Sequence, residues 1–185
     1  MNFNSHSSLE GKHAFLSPSN YHWINYTDER LIARWMTSRA AALGTALHEY
    51  AHQAIKLGIK QPKSKQTIYM YVNDAIAFKM APEQPLYYSD VCFGTADAIS
   101  FRNNTLRIHD LKTGVGKTSE HQLEVYAALF CLEYGISPFD IEIELRIYQN
   151  NEIQIFDGVA DEILNIMDTI IAFDKQIELL KEENY

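Results

Sequence analysis

LYYSDVCFGTADAISFRNNTLRIHDL, residues 86–111, decides the fold. It is rich in β-branched and aromatic residues and roughly alternates apolar with polar, the pattern of short strands with one face buried. Three strands are predicted, over Leu86–Phe93, Thr95–Phe101 and Thr105–Leu111. Asn103-Asn104 is a natural tight turn between the second and third, because asparagine tolerates the left-handed backbone that such turns require. Upstream the periodicity is helical. An alanine-rich pattern runs from about Thr37 to Leu57, and Gly58 supplies a stop. QPKSK is a polar connector, and Gln66–Met80 has helical spacing that ends before Pro82. Closer to the N-terminus, LSPSNYHWINY reads as a loop into a helix, with Ser19 or Asn20 as N-cap and Trp23 as an anchor. The first dozen residues are polar and are expected to be loose.

Downstream, Ser119 and Glu120 open a helix that runs to about Tyr134 and stops at Gly135 and Pro138. Ile141–Gln149 alternates as a fourth strand, Gln149-Asn150-Asn151 turns, and EIQIF makes a fifth. From Ala160 to about Glu183, Ile163, Ile166, Met167, Ile170 and Phe173 mark an amphipathic helix. The order α, α, β, β, β, α, β, β, α predicts one α/β domain over residues 1–185, a central mixed β-sheet flanked by helices.

A chain of 185 residues with 46% hydrophobic content can bury a sizeable core. No apolar run approaches the ~18 residues of a membrane span. MNFNSHSSLEGKHAFLS has no apolar stretch long enough for a secretory signal, so the cytoplasm is the expected compartment. Cys92 and Cys131 are too few for a disulfide framework or a four-cysteine iron–sulfur cluster, and each reads as a buried reduced thiol. The net charge of −8 is unevenly spread. Residues 1–79 hold nine Lys+Arg against five Asp+Glu, a balance of +4; residues 80–185 hold seven against nineteen, a balance of −12. Arg30, Arg34, Arg39, Lys56, Lys60, Lys63 and Lys65 in the basic part suit a phosphate backbone, and they suit solvated helix faces equally well.

The chemistry concentrates in GTAD, HDLKTG and HQLEVY, between Gly94 and Tyr126. Residues i and i+2 of a strand share a face, so Asp110 and Lys112 project together. The Asn-Asn turn folds Asp97 back towards Asp110. Two carboxylates, with the Leu111 carbonyl as a further oxygen, offer the hard ligands that Mg²⁺ or Mn²⁺ prefers. Lys112 is placed to orient a water or to stabilise charge on a phosphorane. Asp-x-Lys alone is common and also reads as a surface ion pair. Gln122 and Tyr126, one helical turn apart, can face the same site. His48, on the helix containing GTALHEYAH, can supply an imidazole to a metal or hold a water; it also reads as an ordinary core or surface histidine.

Taken together and in order, SPSNYHWIN, GTALHEYAH, FGTADAIS, LRIHDLKTG and HQLEVYAALF resemble the RecB-type branch of the PD-(D/E)XK nuclease superfamily, most of all its small phage- and prophage-borne members. The resemblance covers roughly residues 13–150. It implies a restriction-endonuclease-like core and Mg²⁺- or Mn²⁺-dependent cleavage of DNA, read here as exonuclease action in phage DNA processing or recombination. It implies His48, Asp97 and Asp110 as metal ligands, Lys112 as the catalytic lysine, and Gln122 with Tyr126 as the accessory QxxxY pair. Some relatives carry a four-cysteine iron–sulfur cluster, which two cysteines cannot build. No helicase segment accompanies the core, so processive unwinding would need a helicase or recombination partner, and a homo-oligomeric ring is another route to processivity.

Two other motifs compete. His48-Glu49-Tyr50-Ala51-His52 matches HExxH, the zinc helix of metallopeptidases, but no third-ligand motif follows it. Gly114-Val115-Gly116-Lys117-Thr118 resembles the end of a phosphate-binding loop, yet Leu111 stands where the first glycine belongs. A DNA-binding module of the same fold that has lost catalysis is the third alternative.

Overall fold

The computed structural model describes residues 5–183. They fall into two compact units, one up to Thr45 and one from Ala46 onward. Of the dozen residues expected to be loose, 1–4 lie outside the described residues, and Ser7–Leu9 form a 3-10 turn.

In the first unit, SPSNYHWINY departs from the sequence reading. Pro18–Asn25 is 3-10 helix, and its cap is Ser17, not Ser19 or Asn20: the Ser17 Oγ accepts the Ser19 N–H at 3.4 Å. Pro18 has no N–H to satisfy and fits the first helical position. Trp23 is an anchor as expected, donating from Nε1 to the Ser17 carbonyl at 3.0 Å. The long helix α1 (Asp28–Lys56) begins well before Thr37. The Thr27 hydroxyl accepts the Arg30 N–H at 3.3 Å, and Asp28 and Glu29 set negative charge against the positive end of the helix dipole. Those start signals lay in the sequence but were masked by the stronger alanine-rich pattern that follows.

In the second unit, the end of α1 stops at Gly58, whose φ of +67° is the left-handed geometry glycine adopts freely. Helix α2 (Thr67–Ala77) follows, then β1 (Ala81–Ser89), β2 (Cys92–Arg102) and β3 (Thr105–Leu111), helix α3 (His121–Tyr134), β4 (Glu142–Gln149), β5 (Glu152–Asp157) and helix α4 (Ala160–Glu183). The order of helices and strands is the predicted one, but LYYSDVCF is not one strand. It crosses a hairpin: β1 ends at Ser89, the register shifts after Tyr87, and Cys92 opens β2. The true β1 starts at Ala81 and contains Pro82 and Pro85. Prolines are tolerated there because β1 is an edge strand, paired only with β2. Cys92, expected to be buried, is half-buried at this hairpin, whereas Cys131 in α3 is buried.

The sheet is open and mixed, in the order β1-β2-β3-β4-β5. All neighbours are antiparallel except β3 and β4, which run parallel and are connected through α3. Two of the three hairpin turns use an Asn-Asn pair with left-handed backbones, Asn103 and Asn104 at φ +51° and +56°, Asn150 and Asn151 at +52° and +62°. The pleat sends Leu106, Ile108, Ile143, Leu145 and Ile147 to one face, where α3 and α4 cover them with Leu123, Ala127 and Ile163. Leu111 and Tyr148 face the other way, against Ala51, Ala54 and Ile55 of α1 and Tyr71, Val72 and Ala75 of α2. Helices thus flank the sheet on both sides.

Gly158 shows how closely this packs. Its N–H donates to the Ile143 carbonyl at 2.8 Å, and a Cβ placed there would lie 2.6 Å from the Ile143 Cγ2 and 2.7 Å from its Cβ. Ile143 is itself buried and branches at the backbone, so it cannot swing away. Gly158→Ala is expected to destabilise the fold by about 1–3 kcal/mol. A denaturant midpoint unchanged from wild type would contradict that packing.

Candidate functional site

Asp97 and Asp110 meet where the β2–β3 ladder ends. The register pairs Ala98 with His109 and stops, so the two aspartates stand one step beyond the last pair. The Leu111 N–H donates to the Asp97 Oδ2 at 2.8 Å, so a carboxylate takes a backbone donor at the end of the strand. The same Oδ2 lies 3.6 Å from the Nδ1 of His48 on α1. Burial pushes the Asp97 carboxyl up to about 6; the Leu111 N–H opposes the rise, the Asp110 carboxylate adds to it and His48 opposes it.

Lys112 follows β3 directly, its N–H extending the parallel ladder to the Tyr148 carbonyl at 2.9 Å. Its ammonium sits 3.0 Å from each oxygen of Asp110. Asp110 is only 5% exposed; its buried Oδ2 makes no directed hydrogen bond, only the close approach to that ammonium. The same ammonium donates to the Gln122 Oε1 at 2.8 Å, and the Gln122 Nε2 donates to the Tyr126 hydroxyl at 3.5 Å. A single chain of polar contacts thus runs from Asp110 through Lys112 to both members of the pair on α3. Tyr126 reaches this position over bare backbone: a Cβ on Gly94 would lie 3.0 Å from the Tyr126 Cε1.

The metal-ligand, lysine and QxxxY candidates all reach this region, but in two groups. His48 and Asp97 form one; Asp110, Lys112, Gln122 and Tyr126 form the other. Leu111 touches the first group through its N–H. The electrostatic influence of Asp110 on Asp97 links the two.

Sequence reasoning missed Glu83. Pro82 pairs with Ala98 and Gln84 with Ala96, so Glu83 on β1 faces Asp97 across the ladder. Its φ of +49° is a left-handed backbone that a glutamate rarely adopts. Ligand atoms of His48, Glu83 and Asp97 all lie within 4.8 Å of one another. The signal was the strand register, obscured because the helical pattern ends before Pro82 and the strand pattern begins only at Leu86, whereas β1 starts at Ala81. The buried Tyr71 of α2 senses the same group: burial first, then the Asp97, Glu83 and Asp110 carboxylates, hold its hydroxyl well above the usual phenol range. It stays protonated, a neutral wall beside three acids.

One imidazole and several carboxylate oxygens, brought within 4.8 Å of one another where burial already raises the pKa of one acid, are a donor set that fits a hard divalent cation. The competing motifs are placed differently. Glu49 is exposed and accepts from the Gln53 Nε2 at 2.9 Å, while the Nδ1 of His52 is buried without a partner. In the glycine-rich loop, the Gln149 Nε2 donates to the carbonyls of Gly114 at 2.6 Å and Gly116 at 2.9 Å, tying the loop to the end of β4.

Among the described residues, no helix is long and apolar enough to cross a membrane. Neither a curated protein nor a solved structure matches the chain. A family described as "Protein of unknown function (DUF2800)" matches residues 80–184, a stretch that holds Glu83, Asp97, Asp110, Lys112, Gln122 and Tyr126 and excludes His48. That stretch is more than half of the sequence, and the chain belongs to this family.

Proposed function

We propose that the chain is a divalent-metal-dependent deoxyribonuclease with a restriction-endonuclease-like core, acting as an exonuclease on DNA. The observation that carries this reading is the continuous contact from Asp110 through Lys112 to Gln122 and Tyr126, set beside His48, Glu83 and Asp97. A strand-end ion pair of no chemical consequence has no need of a second, crowded acidic group next to it.

His48, Asp97, Asp110 and the Leu111 carbonyl would hold Mg²⁺ or Mn²⁺, with Glu83 as an additional oxygen donor. When bound, the cation supplies positive charge to a phosphoryl oxygen and acidifies water. The chain's own groups do the rest. Lys112 faces the charge that accumulates as water adds to the phosphorus, and Asp110 holds its ammonium in place. Gln122 fixes the other side of that ammonium and offers its amide to the phosphate. Tyr126 can donate to a phosphate oxygen or stack on a base. The bond from phosphorus to the 3′ oxygen breaks, and the 5′ phosphate stays with the water-derived oxygen.

The direct test is a digest of end-labelled single- and double-stranded DNA and of a closed circle, with Mg²⁺, Mn²⁺ or EDTA. Linear DNA is expected to shorten with either ion and to persist in EDTA, while the circle resists. Cutting of the circle would make the enzyme an endonuclease. DNA left intact with both ions yet retarded on a gel would replace catalysis with binding.

A further inference from the structure

A second site lies wholly within the first unit. A cavity of about 260 Å³ opens between the 3-10 segment and α1, with Phe15, Trp23 and Tyr26 supplying three aromatic rings and Asn20, Arg34 and Ser38 its main polar groups. That volume is just below the ~300–1,000 Å³ of most small-ligand sites, room for one flat ring system. The lining contains no leucine, isoleucine, valine or methionine, so an aliphatic chain would gain little there. Aromatic faces next to a guanidinium and an amide are what a base and its phosphate use.

The polar groups differ in availability. Trp23 has committed its Nε1 to Ser17 and the neighbouring Thr37 its hydroxyl to the Ala33 carbonyl, which fixes the walls. Arg30 lies over the Tyr26 ring, 4.6 Å from its centroid. Arg34, one turn further along α1, is exposed and makes no ion pair among the described residues. It is a cation at the mouth of an aromatic cavity with no anion assigned to it.

We infer that this cavity captures one base of single-stranded DNA, with Arg34 taking the adjoining phosphate. The choice of DNA rests on the nuclease reading; the base-and-phosphate chemistry rests on the lining. Such a subsite would let the protein grip a strand independently of the aspartates.

Both tryptophans of the chain, Trp23 and Trp35, belong to this unit, and Trp35 packs edge-on against Phe15 with centroids 5.1 Å apart. Both fluorescent reporters therefore lie in this unit. With EDTA present, so that nothing is cleaved, oligo(dT) is titrated into wild type, Trp35→Phe and Arg34→Gln. Quenching is expected in wild type and in Trp35→Phe, where Trp23 is the sole reporter. Arg34→Gln, and in wild type an abasic strand of equal length, should each bind about tenfold more weakly. Absent quenching, equal affinity for the abasic strand, or an unchanged Arg34→Gln would overturn the proposal. Thymidine monophosphate binding as tightly as the strand would assign the cavity to a free nucleotide and overturn strand capture. Should Trp35→Phe misfold, the Arg34→Gln and abasic comparisons decide by themselves. Failure of the nuclease digest with quenching intact would sink the cleavage reading alone; cleavage without quenching would sink this one alone.

Discussion

If the chain is the nuclease proposed above, Lys112→Ala is expected to lower the rate of DNA cleavage by roughly a hundred- to a thousandfold, the usual cost of removing one preorganised group that faces transition-state charge. The chain should stay folded, because the Lys112 side chain is 31% exposed and fills no core volume. Its loss does leave Asp110, with a side chain only 7% exposed, lacking a counter-charge, so some stability is lost too. Lys112→Gln separates the effects. An amide can still donate to Asp110 but brings no positive charge, so the glutamine protein should melt nearer to wild type while cleaving almost as poorly as the alanine one. Initial rates on end-labelled DNA with Mn²⁺, set beside thermal melts of all three proteins, measure both. Rates within a few-fold of wild type in both variants would remove Lys112 from the chemistry.

Asp97→Asn is expected to stabilise the metal-free protein at pH 8 while abolishing cleavage. The Asp97 carboxyl is raised from its ordinary value of 3.8 to about 6, so the fold prefers it protonated. The contribution to stability is fully present below pH 3.8 and is lost as pH rises through about 6. At 1.36 kcal/mol per unit, the loss by pH 8 is at most roughly 3 kcal/mol. Asparagine carries no charge and keeps an oxygen for the Leu111 N–H, so it escapes the penalty. The two proteins should melt together near pH 3.5 and diverge by several degrees at pH 8, the variant higher. Mn²⁺ should raise the melting temperature of wild type at pH 8 and leave the variant little changed. A variant less stable than metal-free wild type at pH 8 would show that Asp97 is not under electrostatic stress.

How legible these features were depended on the kind of signal. Asn103-Asn104, Gly58 and Gly135 declared themselves because their backbone geometry is local and few residues adopt it. Strands with clean alternation, such as Glu142–Gln149, were equally plain. The β1–β2 hairpin was not. Asp90 and Val91 turn between two aromatic stretches, and apolar texture alone cannot tell one strand from the ends of two. Glu83 failed for a related reason: its partner Asp97 is set by cross-strand register, and a strand start placed at Leu86 instead of Ala81 hides the register as well. Asp110 and Lys112 needed only the two-residue repeat of a strand, and their meeting with Gln122 needed only that α3 pack back on β3. The cavity beneath α1 depended on a 3-10 segment that reads in sequence as a loop leading into a helix capped at Ser19 or Asn20.

The strand order also bears on how the molecule comes together in time. Three of the four pairings in the sheet join neighbours in sequence through short turns, and can form from local encounters. Only β3 against β4, with Thr105 opposite Glu142, must wait for a distant segment to arrive and for α3 to be laid across the sheet. Lys112 draws on that late pairing through the Tyr148 carbonyl, and its other partner, Gln122, rides on α3. A nascent or partly folded chain can therefore bring Asp97 and Asp110 close early, while Lys112 has only Asp110 beside it and lacks its Tyr148 and Gln122 contacts. The expected order is that the acids gather first and the lysine's contacts to Tyr148 and Gln122 come last; pulse-labelled exchange should then protect the Leu111 amide, bonded to Asp97, before the Lys112 amide.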